Sequence, residues 1–159
     1  MAKKIILGNS LENLKFINIS LEHFYGPNGP ENNFITFLIN SMLSNSPEIK
    51  LTQGNQERDF IFIQDAVDAI MVIIDKRNSL SGSIHSFEIG SGHNIKLKDA
   101  VLEIAKTLSF DQDKLNFGAI PYRDNEEMIS KVNLQKIKGL GWKAKFSFSQ
   151  GILKTLNIK

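Results

Sequence analysis

The stretch that decides the fold spans residues 56–70 and reads Gln56-Glu57-Arg58-Asp59-Phe60-Ile61-Phe62-Ile63-Gln64-Asp65-Ala66-Val67-Asp68-Ala69-Ile70. The four consecutive residues from Phe60 to Ile63 are aromatic or β-branched, which is typical of a short strand buried on both faces. From Asp65 onward the apolar residues recur at helical spacing, and the helix dipole favours a carboxylate in the first turn. The stretch therefore predicts a strand that runs almost directly into an amphipathic helix.

Arg58 stands just before this predicted strand. A guanidinium at the mouth of a strand suits the binding of a phosphate by two parallel hydrogen bonds. The alternative is a surface ion pair of Arg58 with Glu57 or Asp59, which is the more common arrangement and contributes little to stability. The residues alone leave both interpretations open.

Composition excludes several classes of function. The 159 residues include 19 basic and 17 acidic side chains, and a net charge of +2 is too small to direct binding to nucleic acid or to a membrane. The absence of cysteine excludes disulfides, thiolate catalysis and cysteine-ligated zinc, and it fits a reducing cytoplasm. The longest apolar run, residues 66–74, is far shorter than the roughly 20 residues that span a bilayer. We expect a single domain in the cytoplasm.

Strands and helices are predicted to alternate along the chain. Strands are predicted at residues 14–21, 49–51, 60–63, 84–89 and 115–117, and helices at residues 34–43, 65–74, 97–108, 133–138 and 147–156. Residues 2–10 are predicted to be the end of a helix, and residues 23–30 a cluster of turns. Asn133 and Ser147 are the expected caps of the last two helices. This alternation predicts an α/β fold.

The histidines do not predict a metal site. His23, His85 and His93 stand far apart in sequence, and none has a carboxylate or a second histidine at a metal-ligand spacing. His23 differs in context because it follows a predicted strand and precedes a glycine-rich segment, which is where α/β sheets often contact ligands. A turn histidine bonded to the backbone is the alternative for His23.

The segment Gly90-Ser91-Gly92 follows a predicted strand and precedes a predicted helix. Ile95 stands where the third glycine of a dinucleotide-binding loop would be. We therefore interpret the segment as a turn that joins a strand to a helix.

Four sequence blocks, in order along nearly the whole chain, carry a family signature. They are Ile19-Ser20-Leu21-Glu22-His23-Phe24-Tyr25-Gly26-Pro27, residues 56–69 as quoted above, Phe87-Glu88-Ile89-Gly90-Ser91-Gly92, and Leu140-Gly141-Trp142 with Ser147-Phe148-Ser149-Gln150-Gly151-Ile152. They resemble the Leu-Arg-x-x-Asn-Val-Tyr-Gly-Pro, Gln-x-Arg-Asp-Phe-Ile-Tyr-Val, Asn-Ile-Gly-Ser-Gly and Leu-Gly-Trp motifs of the extended short-chain dehydrogenase/reductase family, the NAD-dependent nucleotide-sugar epimerases and dehydratases. The His-Phe-Tyr-Gly-Pro segment resembles the branch that includes abequose-synthase-like reductases.

The resemblance covers the C-terminal half of such an enzyme. It implies the last parallel strands of a Rossmann-like sheet together with the small substrate-binding α/β subdomain, in a single truncated domain. Residues 1–29 and 84–108 are expected to be the remnant of the dinucleotide-binding sheet. Residues 30–83 and 109–159 are expected to be the substrate-binding part.

The resemblance also implies a nucleotide-diphosphate sugar as the ligand. Arg58 and Arg123 are expected on its diphosphate, with His23, where the family commonly has asparagine, close to it. Asn33 is expected at the start of the helix that lines the pocket. A loop pair with Asp124 is the alternative for Arg123, and a structural role is the alternative for Asn33.

The family motifs for cofactor binding and catalysis are absent from these 159 residues. There is no Gly-x-x-Gly-x-x-Gly loop for NAD or NADP, and neither tyrosine, Tyr25 or Tyr122, has a lysine four residues later. In the family's Tyr-x-x-x-Lys pair, one helical turn brings the ammonium close enough to lower the pKa of the phenol. We therefore expect the chain alone to be inactive and not to bind NAD or NADP tightly. Lys3 or Lys4 is the candidate for the surviving lysine of that pair, with its tyrosine before Met1.

Three interpretations remain. The first is the C-terminal portion of an NAD(P)-dependent epimerase, dehydratase or reductase of surface-polysaccharide (O-antigen type) sugar synthesis. The second is a non-catalytic nucleotide-sugar-binding or regulatory module with the same fold. The third, an unrelated α/β domain, is disfavoured by four ordered blocks. The expected partners are a nucleotide-diphosphate sugar and either a separately encoded N-terminal half or a second copy bound at the exposed sheet edge formed by residues 14–21 and 84–89.

Overall fold

The computed structural model describes residues 14–158, and the fold over this range is α/β. The strands are β1 (Phe16–Leu21), β2 (His23–Tyr25), β3 (Ile49–Leu51), β4 (Glu57–Phe62), β5 (Ile84–Ile89), β6 (Asn94–Lys96) and β7 (Leu115–Phe117). The helices are α1 (Phe34–Leu43), α2 (Ile63–Lys76), α3 (Leu97–Thr107), α4 (Gln135–Gly139) and α5 (Phe148–Thr155), with single 3₁₀ turns at Arg77–Ser79 and Gln112–Lys114. The helix predicted at residues 2–10, and with it Lys3 and Lys4, lies outside the described residues.

The strands form three small sheets in which most neighbours are parallel. β1 pairs with β5, β2 pairs with β4, and β3 pairs with β7, all in parallel, while β6 runs antiparallel along β4. Parallel neighbours need a crossover connection, and here α1 and α2 supply such crossovers. The predicted α/β class is confirmed.

The junction of β4 and α2 differs from the prediction at both of its ends. β4 begins at Glu57 because residues 57–59 pair with β6, so Arg58 lies within the strand and not before it. The strand ends at Phe62 and the helix begins at Ile63, two residues before the predicted start. The prediction of a strand buried on both faces holds, since residues 59–62 are all buried.

Two three-residue strands were not predicted. Residues 23–25, predicted as a turn, are β2, which pairs with residues 60–62 of β4. Residues 94–96 are β6, so the Gly90-Ser91-Gly92 turn joins a strand to another strand and not to a helix. Three residues show no periodicity of their own, so these two strands are recognised only by their hydrogen-bonded pairing with β4.

The two predicted helix caps have different outcomes. Ser147 caps α5, and its hydroxyl accepts a hydrogen bond from the backbone N–H of Gln150 at 3.3 Å in a capping box. Asn133 does not directly precede α4, which begins at Gln135, although its side-chain oxygen accepts the N–H of Gln135 at 3.0 Å.

Two apolar cores meet at β4. Side chains of β2, α1, β3, α3, β7 and α5 pack with Phe60 and Phe62, whereas side chains of α2, β1, β5 and α4 pack with Ile61 on the opposite face. The predicted division into a sheet remnant and a substrate-binding part stays a prediction. α2, which it assigned to the substrate-binding part, packs in the core with β1 and β5. α3, which it assigned to the sheet remnant, packs in the core with α1 and β3. No helix within residues 14–158 is long and apolar enough to cross a membrane.

Candidate functional site

A cavity of about 580 Å³ opens between α1, β3, β4 and the loop that follows β7. Its wall includes all four residues that the sequence analysis assigned to ligand binding, which are His23, Asn33, Arg58 and Arg123. A smaller adjoining cavity of about 230 Å³ shares His23 and Asn33. The fold therefore brings together side chains that are up to 100 positions apart in sequence (His23 to Arg123), and their role as ligand contacts stays a prediction.

Arg58 is held in a fixed orientation in this wall. Its side chain is only 11% exposed and forms an ion pair with the carboxylate of Glu126. Its Nη1 donates to the carbonyls of Glu57 at 2.9 Å and Glu127 at 2.6 Å. The alternative of a surface pair with Glu57 or Asp59 is therefore wrong, because the anionic partner is Glu126 and the pair is largely buried.

The hydrogen bonds of Arg58 leave two of its five N–H groups without an acceptor within residues 14–158. Nη1 donates to two carbonyls and Nη2 donates to the Glu126 carboxylate, so the Nε–H and one Nη2–H remain. The donors of a planar guanidinium suit the oxygens of a phosphate or carboxylate. A largely buried guanidinium of this kind is already ordered before a ligand binds.

Arg123 occupies an exposed turn at the mouth of the cavity. Its carbonyl accepts the N–H of Glu126 at 3.1 Å, and Asn125 takes a positive φ of 61° within this turn. The loop is tied to the turn before β4 because the Tyr122 hydroxyl accepts the N–H of Asn55 at 3.2 Å. Arg123 forms no ion pair with Asp124 or any other carboxylate in the described part of the chain.

His23 and Asn33 are positioned by short-range contacts. The Nδ1 of His23 lies 3.5 Å from the Glu22 carboxylate, which also accepts the Ser130 hydroxyl at 2.7 Å. His23 is thus part of β2 and not a turn histidine. Asn33 caps α1, since its side-chain oxygen accepts the N–H of Ile35 at 3.0 Å while its amide nitrogen donates to the Phe24 carbonyl at 2.9 Å.

The lining of the main cavity combines charged and apolar side chains. Lys50, Arg58 and Arg123 line it against the single carboxylate of Glu126. Aromatic and aliphatic side chains form much of the remaining wall, among them Phe34, Phe37, Phe60, Leu97, Val101, Phe117 and Ile120, and the polar side chains of Asn32, Thr52 and Gln56 also line it. Within residues 14–158 no group of three His, Cys, Asp or Glu side chains is placed to hold a metal ion.

Sequence reasoning missed Glu126 and the buried carboxylate of Asp59. Glu126 lies in a polar loop whose spatial neighbour is 68 positions away, and nothing local marks it. Asp59 is fully buried, and its carboxylate accepts the backbone N–H groups of Ser91 at 2.6 Å and Gly92 at 2.7 Å and the Ser91 hydroxyl at 2.6 Å. A carboxylate at the head of an apolar run was the available signal, because such a residue is buried only when it is hydrogen-bonded.

Tyr25 is a structural residue of the core that contains Phe60 and Phe62. It is 3% exposed, and its hydroxyl donates to the Phe148 carbonyl at 3.0 Å. Burial, followed by the negative charges of Glu103 and Asp65, raises the pKa of Tyr25 well above that of an ordinary phenol. The residue therefore holds its proton at neutral pH.

This shift predicts how Tyr25 titrates. Between about pH 9 and pH 11 the native protein and the Tyr25→Phe variant should gain the same phenolate absorbance, because Tyr25 stays protonated in the folded state. The unfolded phenol ionises near pH 10, so the stability that depends on this proton is complete below about pH 10 and falls as the pH rises further. A larger native amplitude in the wild type than in Tyr25→Phe would contradict the assignment.

Comparison with known proteins finds similarity over most of the chain. A family model described as the NAD dependent epimerase/dehydratase family matches residues 2–90. CDP-abequose synthase of Salmonella typhimurium is 36% identical over 144 residues, which are 90% of this chain and 48% of that protein. The Salmonella muenchen CDP-abequose synthase is 38% identical, over 91% of this chain and 48% of that protein. The chain thus spans about half the length of these curated relatives.

Solved structures agree with this on the fold. MoeE5 in complex with UDP-glucose and NAD superposes with a TM-score of 0.82 at 20% identity, over 98% of this chain and 52% of that one. UDP-glucose 4-epimerase from Thermotoga maritima, with UDP-glucose, gives a TM-score of 0.81 at 20% identity, over 98% and 49%. At this identity the likeness establishes a Rossmann-like α/β fold and nothing further.

Proposed function

Because the chain belongs to the NAD-dependent epimerase/dehydratase family, we propose that it is the nucleotide-sugar-binding portion of an NAD(P)-dependent epimerase, dehydratase or reductase of surface-polysaccharide synthesis. The relatives at 36% and 38% identity are CDP-abequose synthases, which favours a CDP-linked sugar. The observation that supports this best is the Arg58 guanidinium, which is largely buried in the wall of the cavity that Arg123 also lines and has two N–H donors unused within residues 14–158.

The diphosphate is the part of the ligand that the cavity fits most closely. Lys50, Arg58 and Arg123 line the cavity with the single carboxylate of Glu126, and Lys50 also lies 3.8 Å from the Glu48 carboxylate, so the excess of positive charge favours an anionic ligand such as a diphosphate. Arg58 would bind one phosphate through its remaining N–H groups, and Arg123 would bind the other from the exposed turn at the mouth. Glu126 keeps Arg58 in place and offers a carboxylate to a sugar hydroxyl.

His23 and Asn33 have narrower roles in this proposal. His23 lies at the boundary of the two cavities and would contact the diphosphate or the sugar beside it. The side-chain oxygen of Asn33 accepts the N–H groups at the start of α1, and one of its amide hydrogens is donated to the Phe24 carbonyl. The second amide hydrogen would be donated to the ligand. The aromatic wall around Phe117 would receive the apolar faces of the base.

The described residues do not fit a tightly bound dinucleotide. Gly90-Ser91-Gly92 is the glycine-rich turn after β5, and a phosphate loop would offer its backbone N–H groups to the ligand. Those of Ser91 and Gly92 donate instead to the buried Asp59 carboxylate. NAD or NADP, the cofactors of the family, would therefore have to be held by residues other than these. A non-catalytic nucleotide-sugar-binding module remains the alternative, since neither tyrosine is paired with a lysine.

Arg58→Ala should weaken the binding of CDP-glucose by about tenfold or more, because a charge-assisted bidentate contact contributes about 1.5 to 3 kcal/mol. Arg58→Lys should also weaken binding, since an ammonium cannot reproduce the two parallel hydrogen bonds. Isothermal titration calorimetry at fixed salt measures the affinity, with CMP as the ligand that lacks the second phosphate.

Arg77→Ala is the matched control. Arg77 is an exposed arginine at the end of α2 and donates only to the Ile74 carbonyl within the described residues. Its replacement should leave the affinity unchanged. Equal affinities of the wild type and Arg58→Ala would exclude Arg58 from the diphosphate site, and no detectable binding of CDP-, UDP- or dTDP-sugars by the wild type would refute the proposed function.

A further inference from the structure

The loop that carries Arg123, residues 118–130, is a strap that is fixed at both ends to strands of the fold. At its start, two N–H groups of the strap donate to the Leu51 carbonyl of β3, at 3.0 and 3.1 Å. At its end, the Glu57 N–H of β4 donates to the Met128 carbonyl at 2.7 Å, and the Glu57 carbonyl accepts another N–H of the strap at 3.1 Å. The backbone of β3 and β4 therefore determines where the strap begins and ends.

The tip of the strap, residues 121–125, has a single hydrogen bond to the fold outside the strap in the described part of the chain. The Tyr122 hydroxyl accepts the backbone N–H of Asn55 at 3.2 Å. The residues on either side of Tyr122, which are Pro121 and Arg123, line the main cavity, whereas Tyr122 is not part of its wall. Tyr122 thus supplies the hydrogen bond that fixes the tip beside the cavity.

The turn that offers the Asn55 N–H, residues 52–56, is itself held by hydrogen bonds. The Thr52 hydroxyl accepts the Gly54 N–H at 3.3 Å and the side-chain amide of the buried Gln56 at 3.1 Å. The carbonyls of Gly54 and Gln56 accept the first two N–H groups of α3, at 3.0 and 2.9 Å, which have no acceptor within their own helix. The Asn55 N–H is therefore a donor in a fixed position.

The two arginines of the main cavity differ in what holds them. Arg58 is bonded to Glu57, Glu126 and Glu127. Arg123 is exposed and has no ion pair within the described residues. A side chain on an unanchored tip loses conformational freedom when a ligand orders it, and this loss weakens binding. An anchor that fixes the tip beforehand reduces the loss.

We propose that Tyr122 is a positioning residue, whose hydroxyl docks the tip on the 52–56 turn and so holds Arg123 at the cavity for the second phosphate of a nucleotide-diphosphate sugar. This inference rests on the proposed function. In this role Tyr122 does not touch the ligand and acts through Arg123 alone. Tyr122→Phe isolates the hydrogen bond, because it keeps the aromatic ring and removes only the acceptor.

The docking of the tip is tested on the free chain. In Tyr122→Phe, amide hydrogen exchange followed by NMR should be at least about tenfold faster at the Asn55 N–H than in the wild type. The Lys98 N–H, which donates to the Gly54 carbonyl of the same turn, should exchange at an unchanged rate and so shows that the turn stays folded. Unchanged exchange at Asn55 would overturn the proposal.

The positioning of Arg123 is tested by a double-mutant cycle, with the affinity for CDP-glucose measured by calorimetry. Tyr122→Phe should weaken binding about three- to tenfold, which is the usual effect of one neutral hydrogen bond. In the Arg123→Ala background the same substitution should have no further effect, because no guanidinium is left to position. A general structural role of Tyr122 would weaken binding by the same factor in both backgrounds, and that result would overturn the proposal.

Arg77→Ala provides the matched control background, since Arg77 lies at the end of α2 and does not line the cavity. There Tyr122→Phe should keep its full effect, and circular dichroism checks that each variant is folded. If the wild type binds no nucleotide sugar, the proposed function fails and the role of Tyr122 fails with it. If the wild type binds and Tyr122→Phe binds equally well, only the role of Tyr122 is overturned.

Discussion

Asp59→Ala is expected to lower the free energy of unfolding by about 3 to 5 kcal/mol, which is a large part of the stability of a domain of this size. The carboxylate is fully buried and accepts three hydrogen bonds, from the N–H and hydroxyl of Ser91 and the N–H of Gly92. Its removal leaves these donors buried without an acceptor, and each costs about 1 to 3 kcal/mol. Urea unfolding followed by circular dichroism measures the change.

Two further variants make this result specific. Asp68→Ala removes a carboxylate from the solvent-facing side of α2, where it pairs with Lys145, and should change stability by less than about 0.5 kcal/mol. Asp59→Asn keeps the shape but offers a single acceptor oxygen, so it should fall between the two. A loss below about 1 kcal/mol for Asp59→Ala would mean that the turn at residues 90–92 is held by other contacts.

The second large effect is an absence of turnover by the chain alone. Offered NAD(H) or NADP(H) with CDP-, UDP- and dTDP-sugars, the 159-residue chain should change neither the reduced-nicotinamide absorbance nor the mass of the sugar. Proton transfer by a positioned side chain contributes about a hundred- to ten-thousandfold only within hydrogen-bond reach, and the cofactor supplies the hydride chemistry itself. The Tyr25 hydroxyl is buried and donates to the Phe148 carbonyl, and the half-exposed Tyr122 hydroxyl accepts the backbone N–H of Asn55, so we expect neither to replace the family's acid–base tyrosine.

An intact epimerase from the same family is the positive control for this assay. Addition of a separate polypeptide with the Gly-x-x-Gly-x-x-Gly loop and the Tyr-x-x-x-Lys pair should restore turnover if the chain is a working half. Turnover by the chain alone would refute the prediction. In that event the Tyr25→Phe, Tyr122→Phe and His23→Ala variants would identify the residue responsible.

Local patterns were enough for elements whose residues repeat at a regular spacing. α1 and β5 have the predicted bounds, because the apolar periodicity that defines each of them is contained within its own residues. β3 and β7 are only three residues long, and turn-forming residues beside them in the sequence were enough to give their bounds. The capping of α5 by Ser147 was likewise local, since donor and acceptor are three residues apart. The family resemblance named four residues that the structure places in the cavity wall, although spacing alone did not, and their role in ligand binding stays a prediction.

Tertiary pairing decided what local patterns left out. β2 and β6 are three residues long and are recognised by their pairing with β4. The pairing of β6 with residues 57–59 also places Arg58 within β4, whereas the sequence predicted it before the strand. The ion pair of Arg58 with Glu126 could not be predicted from local patterns either, because Glu126 lies in a loop 68 residues further along the chain.

The sequence by itself thus determined the α/β class, the family and four of the residues that line the cavity. Only the tertiary structure decided what those residues can do. It buries Arg58 against Glu126 with two N–H groups left without an acceptor in the described residues, and it bonds Asp59 to the backbone of the Gly90-Ser91-Gly92 turn. The physical reason is that periodicity reports the burial of side chains along one element, whereas hydrogen bonds between charged groups and distant backbone form only after the elements have packed.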